Sequence, residues 1–580
     1  MAQAFPRLQR LYTADVTLDA VRAKIERMTG ARFVSSAPGK ADVIACGPAD
    51  AALEKAIKLS GGKKPVLVVL PGLFPCASKT YPSSITAIFL PPVARQGEPG
   101  SALDALVNAF LAETAPEPPE TATPFLDRVR DGHRVHRFSA AEVAGDEADK
   151  ASRSFMEEPS SGAISDPFWQ KILAAEPDKA RLAIRCERLL TELTTWFEPY
   201  SGSAITADEA LDIASLIETR WQENVRASHC YGAQYWNHPS INATFAGPGG
   251  PVVFHDDWEL AVEAAKRDGG QVLSWAGRTA PEIEQACDAA GVPLLRIEDG
   301  FLRSVGLGAG LARGAMLAVD DLGIYYDPAR KSRLEVLLET YDLSAGEMAR
   351  GRALIDVIVQ ARVSKYNFGK AKPTRFDTDQ RIILVPGQVA DDAAIRKSRS
   401  ETIDCANTPN VNLDLLRLAR ERNPDAYIVF KPHPDVETGL RKGKLLPAET
   451  AGLANHVAAH ANIVDLVDAC DAVETFSSLA GYEALLRGKT VTVHGLPFYA
   501  GWGLTEDLTS VPERTRARTL EELVYLALVV YARTIDPVSL VHCSPEFLVK
   551  RLSEQRADRR HLFMTAVRRH MSWLGRKLGI

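Results

Sequence analysis

The order of apolar runs predicts an α/β protein with two Rossmann-like halves in series, preceded by a further α/β unit and a helical segment. Three observations support this. From Pro251 onward, short β-branched runs alternate with amphipathic helical patterns, the signature of βαβ units and a parallel sheet. Residues 1–112 repeat that alternation on a smaller scale. The composition over 580 residues, 46% hydrophobic, 24% charged and 7% aromatic, is that of a folded globular chain, long enough for three or four folding units.

In chain order, residues 1–112 carry the strand-like runs ARFVSS, ADVIACGP, PVLVVLPG and ITAIFLPP between the helical patterns LDAVRAKIERM and DAALEKAIKLS, which predicts a small parallel sheet of unassigned role. Residues 113–165, rich in Pro, Glu, Ser and Asp, cannot bury enough apolar surface to order fully and read as a linker. Residues 166–240 read as a helical segment, with KARLAIRCERLLTELTTWF followed by ADEALDIASLIETRWQENV, the latter N-capped by Thr206. Residues 241–378 form the first Rossmann-like lobe, with strands in PVVFHDD, GQVLSWAG, PLLRIEDG and AMLAVDDLGIYY. Residues 379–540 form the second, with RIILVPG, AYIVFKP, HVAAHANIVD, DAVETFS and KTVTVHG. Two doubly wound lobes place a ligand cleft at the carboxyl ends of their strands. Residues 541–580 form a basic tail. From Lys550 it holds nine Lys or Arg against two acids, and Leu562, Phe563, Ala566, Val567, Trp573, Leu574 and Leu578 recur at roughly helical spacing. Such a tail either lies on an anionic membrane surface or packs on the second lobe.

Other function classes fall away on charge and composition. With 68 Lys plus Arg against 74 Asp plus Glu, the net charge is −6, without the positive field of a general nucleic-acid binder. The longest apolar run, Leu523 to Ala532, is about half of what a membrane-spanning helix needs. The opening MAQAFPRLQRL lacks the apolar stretch of a secretory signal, so a cytoplasmic location is expected. Eight scattered cysteines without C-x-x-C spacing predict neither disulfides nor structural zinc. No repeat at a fixed period is present, which excludes solenoids and propellers.

Five clusters carry candidate chemistry. Ile297-Glu298-Asp299-Gly300-Phe301 ends a strand in two carboxylates, and repulsion between such neighbours raises one pKa toward the range of a general acid or base; a simple Asp-Gly turn is the bland alternative. Pro386-Gly387-Gln388-Val389-Ala390-Asp391-Asp392 again sets carboxylates at a strand end, either to face Glu298 across the cleft or to cap the next helix. In Phe430-Lys431-Pro432-His433-Pro434-Asp435, two prolines stiffen a loop that presents a lysine and an imidazole to an anion. His238-Pro239 lacks that strand context and reads as a structural loop. Thr475-Phe476-Ser477-Ser478 runs into the helix containing Glu483, where hydroxyls and free amides suit a phosphate and Glu483 could reach a ribose. Gly495 to Thr505 supplies glycines for close approach and Tyr499 and Trp502 for stacking, or else a packed turn. Gly306-Leu307-Gly308-Ala309-Gly310 lacks the lysine of a phosphate loop, and His255-Asp256-Asp257 reads as an N-cap, not a metal site.

In this order, the acidic pair with glycine, the HP and the SS resemble the signature of bacterial CMP-sugar transferases. The longer strings EDGFLRSVGLG, DDLGIYYDPARKSRLE, VPGQVADDAAIR, NPDAYIVFKPHPDVE and SSLAGYEALLRGKTVTVHGLPFYAGWGLTED resemble the capsule polysaccharide β-Kdo transferases of KpsC type, over about residues 250 to 535. The resemblance implies a GT-B fold and retaining transfer of 3-deoxy-D-manno-octulosonic acid (Kdo) from CMP-β-Kdo, with no metal or other cofactor. It implies Glu298 as acid/base and Asp392 as nucleophile, with Asp391 as rival and Asp299 beside them. Lys431, His433, Ser477 and Ser478 would hold phosphate or sugar carboxylate and Glu483 the ribose, with Gly300, Gln388, Asp435, Tyr499 and Trp502 completing the donor site. Implied partners are the CMP-sugar, a lipid-linked saccharide acceptor, the inner-membrane surface through the tail, and a capsule assembly or export complex, with no nucleic acid. Members of the family generally carry two such modules in tandem, whereas here the signature set occurs once, and residues 1–240 contain none of it. A transferase for another CMP-nonulosonate such as sialic acid, or a non-catalytic scaffold of polysaccharide assembly, are the alternatives.

Overall fold

In the computed structural model, the described residues are 9–34, 38–47, 50–70, 82–90, 101–114, 171–305 apart from 173 and 177, 313–367 apart from 366, 374–558 apart from 438 and 440, and 560–567 apart from 566. The linker expected over 113–165 and the glycine run 306–310 lie almost wholly outside them. The chain divides into two compact units, Met1–Thr219 and Arg220–Ile580.

The first unit is built on a seven-stranded sheet. Its strands are β1 (Arg10–Tyr12), β2 (Arg32–Phe33), β3 (Val43–Cys46), β4 (Val66–Leu70), β5 (Ser83–Leu90), β6 (Thr194–Phe197) and β7 (Ala204–Ile205), in the order β2-β1-β3-β4-β5-β6-β7. The parallel sheet expected here is in fact mixed: β1 to β4 are parallel, and β5, β6 and β7 add antiparallel. Two of those strands come from the segment read as helical, because TTWF, sandwiched between helical patterns, offers too short a run to betray a strand. Apolar clusters cover both faces. The helices Asp50–Ser60 and Ser101–Glu113 place Leu53, Leu103, Leu106 and Phe110 on one face, and Leu18 and Ile25 pack with Phe197 on the other.

The second unit contains two six-stranded sheets. The first lobe comprises β8 (Ser228–Tyr231), β9 (Val253–His255), β10 (Gln271–Trp275), β11 (Leu294–Asp299), β12 (Met316–Asp320) and β19 (Ala532–Thr534), ordered β19-β12-β11-β10-β8-β9. β8 also falls in the supposed helical segment. β9, β8, β10 and β11 are parallel, while β12 and β19 close the edge antiparallel. The second lobe holds β13 (Ile382–Pro386), β14 (Tyr427–Lys431), β15 (His456–Val457), β16 (Ala472–Thr475), β17 (Thr490–Val493) and β18 (Glu506–Asp507). All are parallel, ordered β15-β14-β13-β16-β17-β18. Chain order reverses between β8 and β10 in one lobe and between β13 and β16 in the other, and such switch points open a crevice at the carboxyl edge of a sheet.

The second lobe does not run to residue 540, where the sequence placed its end, because β19 pairs with β12 of the first. The described part of the tail continues in that direction. The helix Pro545–Ala557, capped by Ser544, buries Leu548, Val549 and Leu552. Glu546 pairs with Arg350 at 2.8 Å, and Arg556 donates to the carbonyls of Ala361 and Arg362. This stretch packs on the helix Ala345–Gln360, not on the second lobe. Beyond it Leu562, Phe563, Met564 and Val567 are exposed, while Ala566, Trp573, Leu574 and Leu578 lie outside the described residues.

Candidate active site

A cleft of about 640 Å³ opens between the carboxyl edges of the two sheets of the second unit. Of the residues singled out from sequence, Glu298, Asp299, Gln388, Asp391, Asp392, Lys431, His433, Asp435, Ser477, Ser478, Glu483 and Tyr499 line it. Gly300 and Trp502 do not.

On the first-lobe wall, Glu298 ends β11, and its Oε1 accepts the Asp299 amide at 3.0 Å. Burial, then the Asp299 carboxylate, push the Glu298 pKa up to about 8, with Lys365 opposing and Asp392 adding to the rise. Asp299 is held by Arg303, whose Nε donates to Oδ2 at 2.6 Å from a position only 1% exposed. Of the two neighbouring carboxylates, Asp299 is thus paired with an arginine and Glu298 is the desolvated acid. Gly300 serves the backbone instead of the ligand: its amide donates to Met316 O at 2.9 Å, and a Cβ there would stand 2.6 Å from Met316 Cγ.

On the second-lobe wall, the loop after β13 separates the two aspartates. Asp391 pairs with Arg441 at 3.4 Å. Asp392 caps the turn Ala393–Arg396 by accepting from Ala394 N at 3.3 Å and acts electrostatically on Glu298 and Tyr326 across the cleft. Both sequence readings of Asp392, cap and cleft carboxylate, therefore hold together. Gln388 bridges the two loops at the switch point: its Nε2 donates to Ser477 Oγ at 3.2 Å, and its Oε1 accepts Ser477 N at 2.8 Å. Ser478 caps the helix Leu479–Leu485, and Tyr499 Oη donates to Ser478 O at 2.5 Å.

The loop after β14 departs from expectation at its lysine. Lys431 Nζ donates to Glu437 Oε2 at 3.2 Å and to Pro432 O at 2.6 Å, so its charge is compensated internally; burial lowers its pKa. His433 Nδ1 accepts from Asp435 N at 3.1 Å, which assigns the ring proton to Nε2. Burial, then Lys431, Lys365 and Arg441, hold its pKa down at about 3, so the imidazole is a neutral donor at physiological pH. Glu483, expected to reach a ribose, accepts Lys365 N at 2.9 Å with Oε1, and burial raises its pKa. Trp502 is 1% exposed, donates from Nε1 to Phe498 O at 2.9 Å and stacks under Arg514 at 5.4 Å; it is core, as a tryptophan in a glycine-rich packed turn can be.

Sequence reasoning missed Lys365. It lies on the crossover segment between the lobes, where its carbonyl accepts the amides of Arg303 and Ser304 at 3.1 and 3.2 Å while its amide donates to Glu483. The backbone is thus held from both lobes, and the side chain faces Glu298 and His433 electrostatically. No motif surrounds it in RVSKYNFGK, and only the tertiary fold brings it to the cleft. Tyr326 was missed similarly, although it stands within the quoted run GIYYDPARK. Outside the cleft, Asp257 caps its helix by accepting Glu259 N at 2.7 Å. His238 begins the helix His238–Phe245 and stacks on Phe254 at 3.7 Å, a helix start where the sequence suggested a loop. Among the described residues no group of three or more His, Cys, Asp or Glu is placed to hold a metal ion, and no helix is long and apolar enough to cross a membrane.

Gly481 makes a test of the Ser478 prop. A Cβ at this position would lie 2.3 Å from Tyr499 Oη, so Gly481→Ala is expected to displace the tyrosine, destabilise the chain by about 1–3 kcal/mol and loosen the Ser477-Ser478 loop, which thermal melts and ligand titration would register together.

Two switch-point sheets facing one polar cleft define a two-lobed α/β protein of GT-B architecture. The family model for capsule polysaccharide biosynthesis proteins matches residues 271–367 and 347–535. The capsule polysaccharide modification protein LipA of Neisseria meningitidis serogroup A is 36% identical over 346 residues, 60% of this chain and 48% of LipA. Two solved modules of Thermosulfurimonas dismutans KpsC, its beta Kdo 2,7 and beta Kdo 2,4 transferases, are each 31% identical. They cover 57% of this chain and 99% and 98% of their own, with TM-scores of 0.46 and 0.49. Residues 271–535 of the chain thus match the capsule polysaccharide biosynthesis family, and the chain's match spans about half the length of the curated relative LipA.

Proposed function

We propose that the chain is a glycosyltransferase of capsule or surface polysaccharide synthesis that moves Kdo from CMP-β-Kdo to a lipid-linked or glycan acceptor with retained β configuration. The observation that carries this reading is the pair Glu298 and Asp392, one from each lobe, interacting across a single cleft. In the proposed double displacement, an Asp392 oxygen attacks the anomeric carbon, the bond to the CMP phosphate breaks, and Glu298 gives its proton to the departing phosphate. The acceptor hydroxyl then surrenders its proton to the Glu298 carboxylate and attacks the same carbon, releasing Asp392. Two inversions leave the configuration retained. The departing phosphate has His433 Nε2–H, the Ser477 and Ser478 hydroxyls and Lys365 as its partners in this scheme, and no step calls for a metal. A raised Glu298 pKa supports the acid role at neutral pH.

The test is CMP release and product mass with purified chain, a synthetic Kdo-bearing lipid acceptor and a synthetase regenerating CMP-Kdo, run beside CMP-sialic acid. A product heavier by one Kdo supports the reading. Turnover with sialic acid alone moves the assignment to another CMP-nonulosonate, and a folded chain that neither binds CMP nor turns over either donor is a scaffold. The exposed apolar residues Leu562, Phe563, Met564 and Val567 within a basic stretch support contact with an anionic membrane surface, where a lipid-linked acceptor would lie. Removing residues 558–580 is expected to abolish flotation with anionic vesicles while leaving the melting temperature within about 2 °C, since the burying helix Pro545–Ala557 is kept.

A further inference from the structure

Tyr326 has no part in the scheme above, yet it stands among the groups that do. It follows β12 in the run Ile324-Tyr325-Tyr326-Asp327, whose neighbours are anchored: Tyr325 Oη donates to Asp299 O at 3.2 Å, and Asp327 pairs with Lys397 of the opposite lobe at 2.8 Å. Tyr326 lines the cleft. Its hydroxyl is shut off from solvent and has no hydrogen-bond partner among the described residues. Buried hydroxyls in folded proteins are almost always satisfied, and one left unsatisfied inside a ligand cleft is a group that the ligand completes. A purely packing role would need only the ring.

The surroundings restrict what that ligand atom is. Besides burial, the groups that act on Tyr326 are Glu298, Tyr325, Asp392 and Asp327, and each opposes loss of its proton. The phenol is therefore a neutral donor at every physiological pH. The carbon that reacts lies between Glu298 and Asp392, and in a ulosonate the substituent on that carbon, besides the ring and the leaving group, is a carboxylate. An anion brought beside Asp392 needs a donor that does not itself pair with Asp392 and blunt its attack. A neutral hydroxyl meets that need better than an arginine or lysine would.

We propose that Tyr326 is a specificity-determining residue whose hydroxyl donates to the carboxylate on the anomeric carbon of the sugar donor. The proposal rests on the transferase reading. It adds a means of selecting acidic ketoses over aldoses, which carry only hydrogen at that position and leave the hydroxyl unsatisfied.

The experiment compares the full chain with Tyr326→Phe, which removes one oxygen atom. Calorimetry measures CMP binding, then binding of free Kdo and of its C1 methyl ester to the CMP-saturated protein; kinetics follow kcat and KM with CMP-Kdo. Expected are unchanged CMP affinity, an equal or higher melting temperature, a loss of about 10- to 100-fold in Kdo affinity or in kcat/KM, and loss of the preference for Kdo over its ester. If the phenylalanine chain fails to melt cooperatively, Tyr326→His, which restores an N–H donor, takes its place and is expected to keep the preference. Wild-type turnover with a Tyr326→Phe chain of wild-type kcat/KM and undiminished Kdo preference overturns the proposal alone. So does a parallel fall in CMP and Kdo affinity, which marks a structural role. A wild-type chain that neither binds nor turns over any CMP-ulosonate overturns the transferase reading and this assignment with it.

Discussion

Replacing Asp392 by asparagine is expected to reduce CMP release and product formation by about 10³-fold or more, while leaving CMP affinity and fold intact. Asparagine keeps the oxygen that caps Ala394 N, so the turn Ala393–Arg396 survives, but it is not a nucleophile at the anomeric carbon. Asp391→Asn is the control one residue away. It gives up only the partly exposed pair with Arg441, worth about 0–1 kcal/mol, and is expected to stay within about tenfold of the wild-type rate. Equal losses at the two positions would mean that the loop matters as a whole and would remove Asp392 from the centre of the mechanism. Mass spectrometry of the protein after brief exposure to donor without acceptor offers a direct view, since the proposed intermediate adds one Kdo to Asp392.

Glu298→Gln is expected to cost about 10²- to 10⁴-fold in rate, the range of general acid–base catalysis, and to change the pH dependence in a way a structural residue would not. With its pKa raised to about 8, Glu298 holds the proton that the departing phosphate needs until the pH climbs past that value. Wild-type CMP release should therefore fall as pH rises through about 8, and the glutamine chain should lack that limb. Stability also falls with rising pH, but over a lower window than activity. An unfolded glutamate titrates at its ordinary 4.5, so between that value and about 8 the folded chain keeps a proton the unfolded chain has lost. Folding stability then declines across this window and is flat above it. Glutamine removes the decline, so Glu298→Gln should melt above the wild type, by a margin that widens up to about pH 8. A mutant that melts below the wild type throughout would show Glu298 to be a stabilising structural residue instead of one held in an unfavourable setting for reaction.

Much of this molecule was legible because strands buried on both faces write themselves as apolar runs. Every predicted strand of the second lobe is present, as are those read from PVVFHDD, GQVLSWAG and PLLRIEDG in the first. The chemistry was legible for a related reason. Parallel sheets put their loops at one edge, so a carboxylate, hydroxyl or imidazole directly after an apolar run, as in Ile297-Glu298, Val385 to Asp392 or Phe430 to His433, is placed at the cleft by topology alone. What escaped reading were short or distant partners: β1, β6, β7, β8 and β18, each two to four residues long, and β19, which returns to the first lobe from more than 200 positions along the chain.

The sequence by itself determined the α/β class, the two lobes and the strand-end polar groups, because local periodicity and the residue types at each strand terminus suffice for them. The tertiary structure alone decided which of those groups face one another and in what state of charge. It separated Asp391, tied to Arg441, from Asp392, paired Asp299 with Arg303, and buried Glu298 beside the Asp299 carboxylate so that its pKa is raised. It also committed Lys431 to Glu437 and Glu483 to the Lys365 amide, withdrew Trp502 into the core, and brought Lys365 and Tyr326 into the cleft. The physical reason is that hydrophobic periodicity is written along the chain, whereas desolvation and charge pairing depend on groups far apart in sequence that meet only once the lobes have packed.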